Sequence, residues 1–285
     1  MKIVRSPIEM KNLSLTLQRG GGTVGLVPTM GSLHKGHLSL LKRARNVCDY
    51  TVMSIFVNPT QFGPKEDFHK YPRPFDDDCV MAENAGCDFL FAPSERDMYP
   101  QHYNTYVSVE NITDKLCGAS RPGHFRGVTT IVLKLFNIIN PQIAVFGQKD
   151  AQQVAVIKRM VHDLNVSVTI DVAPIIRESD GLAMSSRNAY LTLAERNEAP
   201  LIFKGLAAAE EKFSSGERSA TVLKTVINSV YNQFSQMDIE YIEIVDTMQL
   251  AALDTISSTA LIAIACRTKN SKTRLIDNLV IGGAF

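Results

Sequence analysis

Short apolar segments alternate with helix-like segments through residues 1–175 of this 285-residue chain. TVGLVPT, YTVMSIFVNP, CDFLFAPS, PQIAVFGQ and VSVTIDVAP are rich in Val, Ile, Leu and Phe, which is typical of buried strands. Between them, segments such as HLSLLKRARNVC and DAQQVAVIKRMVHDL carry apolar residues at the spacing of an amphipathic helix. Parallel strands need crossover connections and are buried on both faces. The alternation therefore predicts an α/β fold with a doubly wound parallel sheet.

The alternation stops near residue 175, and the rest of the chain follows a different pattern. LTLAERNEAPLIFKGLAAAEEKFSSG and SATVLKTVINSVYNQFSQ are interpreted as two helices. IEYIEIVD and TALIAIACRTKNSKTRLIDNLVI show the two-residue period of strands, with a polar hairpin inside the second segment. These features predict a smaller α+β domain over residues 176–285. In the first part of the chain, YNTYVSVE is interpreted as a short edge-type strand.

Charge is almost balanced along the chain, with 30 Lys and Arg residues against 29 Asp and Glu residues and a net charge of +1. Because such a chain has no broad basic field, no nucleic-acid partner is predicted. The N-terminal MKIVRSPIEMKNLS lacks the apolar run of a signal peptide, and no stretch reaches the roughly 18 apolar residues of a membrane span. We therefore expect a cytoplasmic protein with no membrane partner.

The segment PTMGSLHKGH lies where a predicted strand gives way to a helical pattern. In open α/β sheets, ligands bind beyond the carboxyl ends of the strands, where helix N-termini present N–H groups to anions. His34 and His37 would lie on one face of the helix, and either imidazole could donate to a triphosphate or, if protonated, offset its charge. Solvated helix residues and a metal site are the alternatives. Zinc fits poorly, because no Glu, Asp or Cys is near and Lys35 lies between the histidines.

A second segment, RESDGLAMSSRN, lies where the alternating pattern ends. Ser185, Ser186 and Arg187 offer two hydroxyls and a guanidinium group that can hold phosphate oxygens, and Gly181 permits a tight loop. A mobile loop that closes over a nucleotide would exclude water from a reactive intermediate. Ser-Ser-Arg is common in exposed loops, so this interpretation depends on the presence of HKGH upstream.

Together, HKGH and MSSR resemble the H-I-G-H and K-M-S-K-S signatures of the nucleotidylyltransferase and class I aminoacyl-tRNA synthetase superfamily. More narrowly, VPTMGSLHKGH, SIFVNPTQF, RPGHFRGV, FGQKDAQQ and MSSRN are similar, in this order, to segments of the pantoate–β-alanine ligase (pantothenate synthetase) family. The resemblance covers nearly the whole chain. It implies a Rossmann-like domain of the HIGH type at 1–175, which binds ATP and pantoate, and a C-terminal α+β lid domain at 176–285.

The resemblance also implies a two-step ligase reaction. The pantoate carboxylate attacks the α-phosphate of ATP bound to Mg²⁺, which gives pantoyl adenylate and pyrophosphate. The amine of β-alanine then displaces AMP to form pantothenate. The implied partners are therefore pantoate, β-alanine and ATP, with Mg²⁺ as the implied metal, and the implied assembly is a homodimer.

The implied site residues fall into three groups. His37 and His34 are the implied catalytic pair, with His37 as the proton donor. Gln61 and Gln153 are implied to hold pantoate, and Gln61 is also implied to contact β-alanine. The implied ATP site comprises Met30, Gly31, Ser32, Leu33, His34, Lys35, Gly36, His37, Gly147, Gln148, Lys149, Asp150, Ile176, Met184, Ser185, Ser186 and Arg187.

These assignments make chemical sense, although each residue also has an ordinary structural interpretation. Amide side chains both donate and accept, so Gln61 and Gln153 suit the hydroxyls and carboxylate of pantoate. Lys149 can place a charge on a phosphate, and Asp150 can receive either Mg²⁺ or a ribose hydroxyl. Gln61 could equally be a turn residue, and Asp150 a helix cap. RPGHFRGV is interpreted as a structural segment that shapes the start of the adjoining helix.

Two positions depart from the family pattern. Lys35 occupies a position that is more often acidic in the family, and MSSR lacks the lysines of the synthetase-type loop. Because Lys35 would point away from the face shared by the histidines, we expect it to tune ATP affinity at most.

Two other functions compete with the ligase. A nucleotidylyltransferase that transfers AMP or CMP to a phosphorylated acceptor would need more Lys and Arg than FVNPTQF supplies. An RNA-binding protein built on a synthetase-like core is disfavoured by the balanced charge and by the lack of a basic and aromatic stripe.

Overall fold

The computed structural model describes residues 1–64 and 66–285. Contacts divide these residues into two compact units. The first unit comprises 1–114, 118–147 and 156–173, and the second comprises 115–117, 148–155 and 174–285. The domain bounds 1–175 and 176–285 stay a prediction.

The first unit is built on a six-stranded sheet in the order β1-β4-β3-β2-β5-β6. Every neighbouring pair of strands in it is parallel, so the predicted parallel α/β sheet is confirmed. The sheet has no residue-by-residue alternation of polar and apolar side chains in β2 or β3, as expected for strands covered on both faces. The strands are β1 Lys2–Val4, β2 Val24–Thr29, β3 Tyr50–Ile55, β4 Phe89–Phe91, β5 Ile143–Gly147 and β6 Thr169–Ala173.

Helices flank this sheet and also form much of the second unit. Their bounds are α1 Pro7–Arg19, α2 Lys35–Val47, α3 Phe75–Asn84, α4 Glu95–Met98, α5 Leu116–Ser120, α6 His124–Ile139, α7 Ala151–Asp163, α8 Leu193–Glu198, α9 Leu201–Ser214 and α10 Ala220–Tyr231. Helices α1 and α6 pack together and both contact β2, whereas α2 packs on β2, β3 and β5. The α2 contact is apolar and fully buried, and it includes Val27, Leu41, Ala44, Met53 and Leu90. None of the helices among the described residues has both the length and the apolar character needed to cross a membrane.

The sequence interpretation missed β1 and α1, although a start signal for α1 is present. Ser6 caps the helix by accepting a hydrogen bond from the Glu9 N–H at 3.4 Å, and Pro7 occupies the first helical position. A capping serine followed by proline is a recognised N-terminal pattern. The start of α1 is therefore predictable from Ser6 and Pro7.

The prediction of a strand at YNTYVSVE was wrong. The segment 103–110 forms neither a strand nor a helix. The backbone of Val107 instead bonds to side chains of α6. Its N–H donates to the Thr130 hydroxyl at 3.0 Å, and its carbonyl accepts from the Thr129 hydroxyl at 2.7 Å. Threonine hydroxyls therefore satisfy the polar groups that a neighbouring strand would satisfy in a sheet.

The second unit contains an antiparallel sheet in the order β7-β8-β9, with bounds β7 Met237–Asp246, β8 Ala260–Thr268 and β9 Arg274–Ile281. The predicted hairpin between β8 and β9 is confirmed. One predicted helix is instead two, because Pro200 lacks the N–H that would continue α8 into α9. The core that joins these elements includes Ile202, Leu206, Leu223 and Ile264.

A buried carboxylate fixes the turn of the β8–β9 hairpin. Glu195 accepts hydrogen bonds from the N–H groups of Thr192, Asn270 and Ser271, each at 2.9 Å. Burial opposes ionisation of Glu195, but these hydrogen bonds outweigh it and lower the pKa of the carboxyl group to about 2. The turn is therefore held by a group that stays ionised at neutral pH.

Candidate nucleotide and substrate site

The paired histidines follow a strand at the point where the strand order of the sheet reverses. From β2 the sheet continues to β3 on one side and to β5 on the other. In open α/β sheets this reversal creates a crevice at the carboxyl ends of the strands, and ligands bind there. The loop 30–34 follows β2 directly and leads into α2, while Gly147 ends β5.

A buried aspartate holds the backbone of this loop. Asp78, on α3, accepts hydrogen bonds from the N–H groups of Ser32 at 2.8 Å and Leu33 at 2.6 Å. Gly31 and Ser32 both have positive φ, at +80° and +49°. A Cβ atom on Gly31 would lie 2.9 Å from Oδ2 of Asp78, so the close approach requires glycine. The shape of the loop thus depends on Asp78 and Gly31.

Asp78 was not identified from the sequence. Its only sequence signal is the acidic run FDDDCV, which does not show which carboxylate is buried. In the structure Asp78 is 1% exposed. Burial raises the pKa of its carboxyl group, and the hydrogen bonds from Leu33 and Ser32 offset only part of that increase.

We expect Asp78→Asn to raise the KM for ATP, the nucleotide that the resemblance implies, by about 5-fold or more. The reason is that an amide can accept from one loop N–H but turns a donor towards the other. The KM for pantoate, the second implied substrate, should stay within twofold. Steady-state kinetics with each substrate varied in turn would measure both values. Asp77→Asn, on the exposed neighbouring residue, is the matched control. Equal ATP KM values for the two variants would contradict the assigned role of Asp78.

The imidazole rings of His34 and His37 lie side by side, with their centroids 4.0 Å apart. Helix α2 begins at Lys35, so His34 is the capping residue of the helix and not part of it. Nδ1 of His34 accepts from the Gly36 N–H at 3.1 Å, and Nδ1 of His37 accepts from the His34 N–H at 3.3 Å. The rings are therefore brought together by a reciprocal cap and not by a shared helical face.

The cap determines which nitrogen of each ring carries the proton. Because Nδ1 of His34 and Nδ1 of His37 accept backbone hydrogen bonds, the proton of each neutral ring is on Nε2. A second proton on either ring would break its bond to the backbone and place a positive charge at the positive end of the α2 dipole. This geometry favours neutral imidazoles with Nε2–H donors. That a protonated ring offsets phosphate charge stays a prediction.

Gln61 lies in the same unit and contacts the histidine loop. It ends the short turn Pro59–Gln61, and its amide Nε2 lies 3.1 Å from Sδ of Met30. Its amide oxygen accepts a hydrogen bond from Nδ2 of Asn58 at 3.0 Å. The structure thus places one implied pantoate residue beside one implied ATP residue.

Asn58 was not identified from the sequence, although it stands in the quoted segment NPTQF. It is 1% exposed and donates to the carbonyl of Gly127 at 3.1 Å as well as to Gln61. Its amide oxygen accepts from the hydroxyl of Tyr99 at 2.8 Å. Burial raises the pKa of Tyr99 to about 12, so this donor stays protonated at neutral pH. Asn58 is therefore held by its own hydrogen bonds to Gly127 and Tyr99, and it orients the amide of Gln61.

The implied ATP residues 148–150 lie in the second unit, directly before α7. They are fixed by Asn278 of β9, whose Nδ2 donates to the carbonyls of Gln148 at 2.9 Å and Lys149 at 3.0 Å. Nε2 of Gln148 donates in return to Oδ1 of Asn278 at 3.2 Å. Asp150 is exposed. One buried asparagine therefore holds the backbone of this segment.

The other implied ATP residues of the second unit are close to one another. The Met184 N–H donates to the Ile176 carbonyl at 3.0 Å, and Arg177 pairs with Ala183 as an antiparallel bridge. Gly181, with φ of +95°, forms the tip of this turn. The segment continues into 185–187, where Ser185 accepts a hydrogen bond from the Arg187 N–H at 3.2 Å.

A buried ion pair supports this turn. Arg177 donates to both carboxylate oxygens of Asp277, at 2.6 and 3.1 Å, and also to the Gly181 carbonyl at 3.1 Å. Asp277 is 3% exposed. Its guanidinium partner also lies over the ring of Phe203, 3.9 Å from the ring centroid. The turn that carries Ile176 and Met184 is thereby attached to β9.

The two glutamines of DAQQ have different surroundings. Gln152 is buried, donates to the Lys115 carbonyl at 2.7 Å and accepts from the Cys117 N–H at 2.9 Å. Gln153 is partly exposed on α7. Gln152 therefore serves the structure of the second unit, whereas the predicted contact of Gln153 with pantoate stays a prediction.

The implied site residues are divided between the two units. Residues 30–37, Gly147 and Gln61 belong to the first unit, whereas 148–150, Gln153, Ile176 and 184–187 belong to the second. That the two sets bind a single ATP stays a prediction. Among residues 1–64 and 66–285, no cluster of three or more His, Cys, Asp or Glu side chains could hold a metal ion.

The parallel sheet and the paired-histidine loop after β2 define a Rossmann-like nucleotide-binding enzyme. Comparison with known proteins narrows this class, since a family model described as pantoate-beta-alanine ligase matches residues 2–280. The chain belongs to the pantoate–β-alanine ligase family and is a ligase, so the resemblance noted in the sequence is confirmed.

Individual relatives agree with this assignment over almost their whole length. Pantothenate synthetase of Heliobacterium modesticaldum is 52% identical over 281 residues, and that of Acetivibrio thermocellus is 53% identical over 282 residues, each match covering 99% of both chains. The crystal structure of pantothenate synthetase from Thermus thermophilus superposes with a TM-score of 0.92 at 42% identity, covering 98% of this chain and 99% of the other. A pantoate-beta-alanine ligase from Francisella tularensis, complexed with beta-gamma ATP and beta-alanine, gives a TM-score of 0.80 at 34% identity, covering 100% and 99%.

Proposed function

We propose that this chain condenses pantoate with β-alanine through a pantoyl adenylate, with ATP converted to AMP and pyrophosphate. The observation that carries the proposal is the contact between Gln61 and Met30, since the resemblance implies pantoate binding for the first residue and ATP binding for the second. Family membership supports the same reaction. The Francisella relative was crystallised with an ATP ligand and β-alanine, which are two of the proposed substrates.

The first step forms a bond between a pantoate carboxylate oxygen and the α-phosphorus of ATP and breaks the bond from that phosphorus to the bridging oxygen. Pyrophosphate leaves with the electron pair. His37, assisted by His34, donates from Nε2–H to a phosphate oxygen on which negative charge develops. Donors already oriented by the backbone need no reorganisation as that charge develops. The reciprocal cap supplies this orientation.

The second step forms an amide bond between the β-alanine nitrogen and the pantoyl carbonyl carbon. The bond from that carbon to the AMP oxygen breaks, and the nitrogen loses a proton. Gln61 contacts both pantoate and β-alanine, and Gln153 contacts pantoate. Neutral amides suit these roles, because they bind the carboxylate of pantoate without the charge pairing that would weaken it as a nucleophile.

On the family resemblance, we assign ATP binding to Met30–His37, Gly147–Asp150, Ile176 and Met184–Arg187. Mg²⁺ accompanies ATP as part of the substrate, since Mg²⁺ is commonly bound through phosphates and only one or two carboxylates. The exposed carboxylate of Asp150 fits that requirement. On the family resemblance, we also assign the chain to a homodimer in the cytoplasm, which size-exclusion chromatography with light scattering and cell fractionation would test.

The reaction is tested by measuring AMP release with ATP, Mg²⁺, pantoate and β-alanine, and with each omitted in turn. The proposal predicts pantoate-dependent release of pyrophosphate without β-alanine in a single turnover, and AMP release only with both acids present. AMP release that does not require β-alanine, or transfer of AMP to a phosphorylated acceptor, would reject it.

Gln61→Ala is expected to raise the KM for pantoate by about 10-fold or more, because the variant loses the amide hydrogen bonds to substrate. The KM for ATP should change by less than twofold. Initial rates with pantoate varied at saturating ATP and β-alanine would measure the effect, with Gln101→Ala at an exposed position as the control. An unchanged pantoate KM in Gln61→Ala would remove this residue from the substrate site.

A further inference from the structure

Two residues of the RPGHFRGV segment contact the backbone of Gln61. Nδ1 of His124 lies 2.8 Å from the Gln61 carbonyl oxygen, and Nη2 of Arg121 donates to the same oxygen at 3.4 Å. Nη1 of Arg121 lies 2.9 Å from Nε2 of His124. All three residues belong to the first unit. The sequence had suggested only a structural role for this segment.

The contacts require one protonation state of His124. A carbonyl oxygen only accepts, so Nδ1 of His124 must carry a proton and donate it to Gln61. Nη1 of Arg121 only donates, so Nε2 of His124 must be unprotonated and accept. The neutral imidazole with its proton on Nδ1 satisfies both bonds, whereas an imidazolium would turn two donors towards each other.

Arg121 is itself held in place by a carboxylate. Its Nε and Nη2 atoms donate to the two oxygens of Glu66, each at 2.7 Å. The side chains of Arg121 and Glu66 are 17% and 25% exposed, so the pair is partly shielded from solvent. Burial opposes ionisation of Glu66, but the hydrogen bonds and charge of Arg121 outweigh it and lower the pKa of the carboxyl group. The bidentate pair fixes the plane of the guanidinium group.

Close backbone packing reinforces the same contact. Gly127, in the first turns of α6, has no room for a side chain, because a Cβ atom would lie 2.4 Å from the Thr60 carbonyl oxygen and 2.6 Å from the Gln61 Cα. Asn58 joins the two segments by donating to both the Gly127 carbonyl and the Gln61 side chain. The start of α6 thus meets the 59–61 turn through backbone, carbonyl and amide contacts.

We propose that His124 and Arg121 are positioning residues that hold Gln61 in the orientation that binds pantoate. The carbonyl oxygen of Gln61 accepts one hydrogen bond from each of them. These two bonds fix the backbone from which the amide side chain of Gln61 extends. Glu66 aligns Arg121, and Arg121 selects the His124 tautomer that donates to Gln61. This proposal rests on the proposed function, because it takes Gln61 as a pantoate residue.

The test compares two replacements of His124. His124→Asn keeps a side-chain N–H near the position of Nδ1, whereas His124→Leu has similar size and no donor. We expect His124→Leu to raise the KM for pantoate by about 10-fold, with the ATP KM within twofold of the parent, and His124→Asn to recover most of the loss. Arg121→Met removes the guanidinium group but keeps a side chain of similar length. It should also raise the pantoate KM and leave the ATP KM within twofold of the parent.

The matched control lies at the other end of the same helix. Gln18 donates from Nε2 to the Asn140 carbonyl at 2.9 Å, so Gln18→Leu also removes a side-chain bond to the α6 backbone. The thermal stability of Gln18→Leu should fall as much as that of His124→Leu, but the pantoate KM of Gln18→Leu should equal that of the parent. Pantoate and ATP KM values that rise together in His124→Leu, or no recovery in His124→Asn, would overturn the proposal.

Failure of this proposal can be separated from failure of the proposed function. If the parent chain shows no AMP release that depends on pantoate and β-alanine, the function itself is wrong before any variant is made. If the parent is active and Gln61→Ala raises the pantoate KM, but the His124 and Arg121 variants do not, only the positioning role is lost.

Discussion

Replacing His37 with alanine is expected to slow adenylate formation by about 100-fold or more, the effect of removing one preorganised donor from a site of developing charge. The loss should be larger than that of an isolated donor, because His37 also accepts the His34 N–H and so holds the reciprocal cap. Single-turnover release of pyrophosphate from ATP and pantoate measures this step directly. His162→Ala, at a side chain that is 79% exposed, is the matched control.

Two amide variants separate the functions of the two ring nitrogens. Gln at position 37 can place an N–H near the position of Nε2, whereas Asn can place an acceptor near Nδ1 but has no donor at Nε2. The proposed role predicts that His37→Gln retains more activity than His37→Asn, and that both exceed His37→Ala. Pyrophosphate release at the parental rate in His37→Ala would show that another group stabilises the phosphate charge.

Arg177→Leu is expected to lower the free energy of unfolding by about 3–5 kcal/mol, because it leaves the buried carboxylate of Asp277 without its partner. Burial raises the pKa of Asp277 even with Arg177 in contact. Without Arg177 the carboxyl group should take up a proton more readily still. The destabilisation should therefore shrink as the pH falls, since a protonated carboxyl group needs no counter-charge. Denaturant unfolding of the parent and the variant at several pH values measures this effect.

A double variant distinguishes stability from positioning. Arg177→Met with Asp277→Leu replaces the ion pair by apolar groups, which is often neutral or stabilising. Stability should recover, but the turn carrying Ile176 and Met184 loses its attachment to β9, so the ATP KM should be higher than in the parent. Arg159→Leu is the control, since it breaks an exposed pair with Asp163 and should cost no more than about 0.5 kcal/mol. A double variant with parental stability and parental ATP KM would show that the pair has no role in nucleotide binding.

The sheet was predictable because its signal is local. Strands such as β2, β3 and β5 are short apolar runs between amphipathic helices, and burial on both faces makes them uniform. The edge strand β1 has only three residues, of which Val4 alone is buried, so it gives no such signal. YNTYVSVE has the composition of a strand, but its backbone partners are threonine hydroxyls. Periodicity cannot reveal partners of that kind.

The predicted site residues also have a local sequence signal, whereas the residues that support them do not. His34, His37 and Gln61 lie in short segments whose composition and resemblance mark them, so the sequence predicts them as site residues. Asp78 and Asn278 bond to the predicted nucleotide segments from 45 and 130 positions away in the chain. Nothing near either residue indicates its partner, because the contact exists only after the sheet and hairpin have formed. Roles that depend on such pairing need coordinates.

The register of one hairpin has consequences for two distant segments at once. Asp277 and Asn278 are neighbours on β9, paired with Ile264 and Ala263, and successive side chains of a strand point to opposite faces. A slip of one residue would exchange them, so the ion pair with Arg177 and the amide bonds to Gln148 and Lys149 would fail together. Glu195 accepts hydrogen bonds from the N–H groups of Asn270 and Ser271 in the turn, and these bonds oppose such a slip. Insertions at this turn should therefore be harmful even though it lies on the surface and touches no substrate residue.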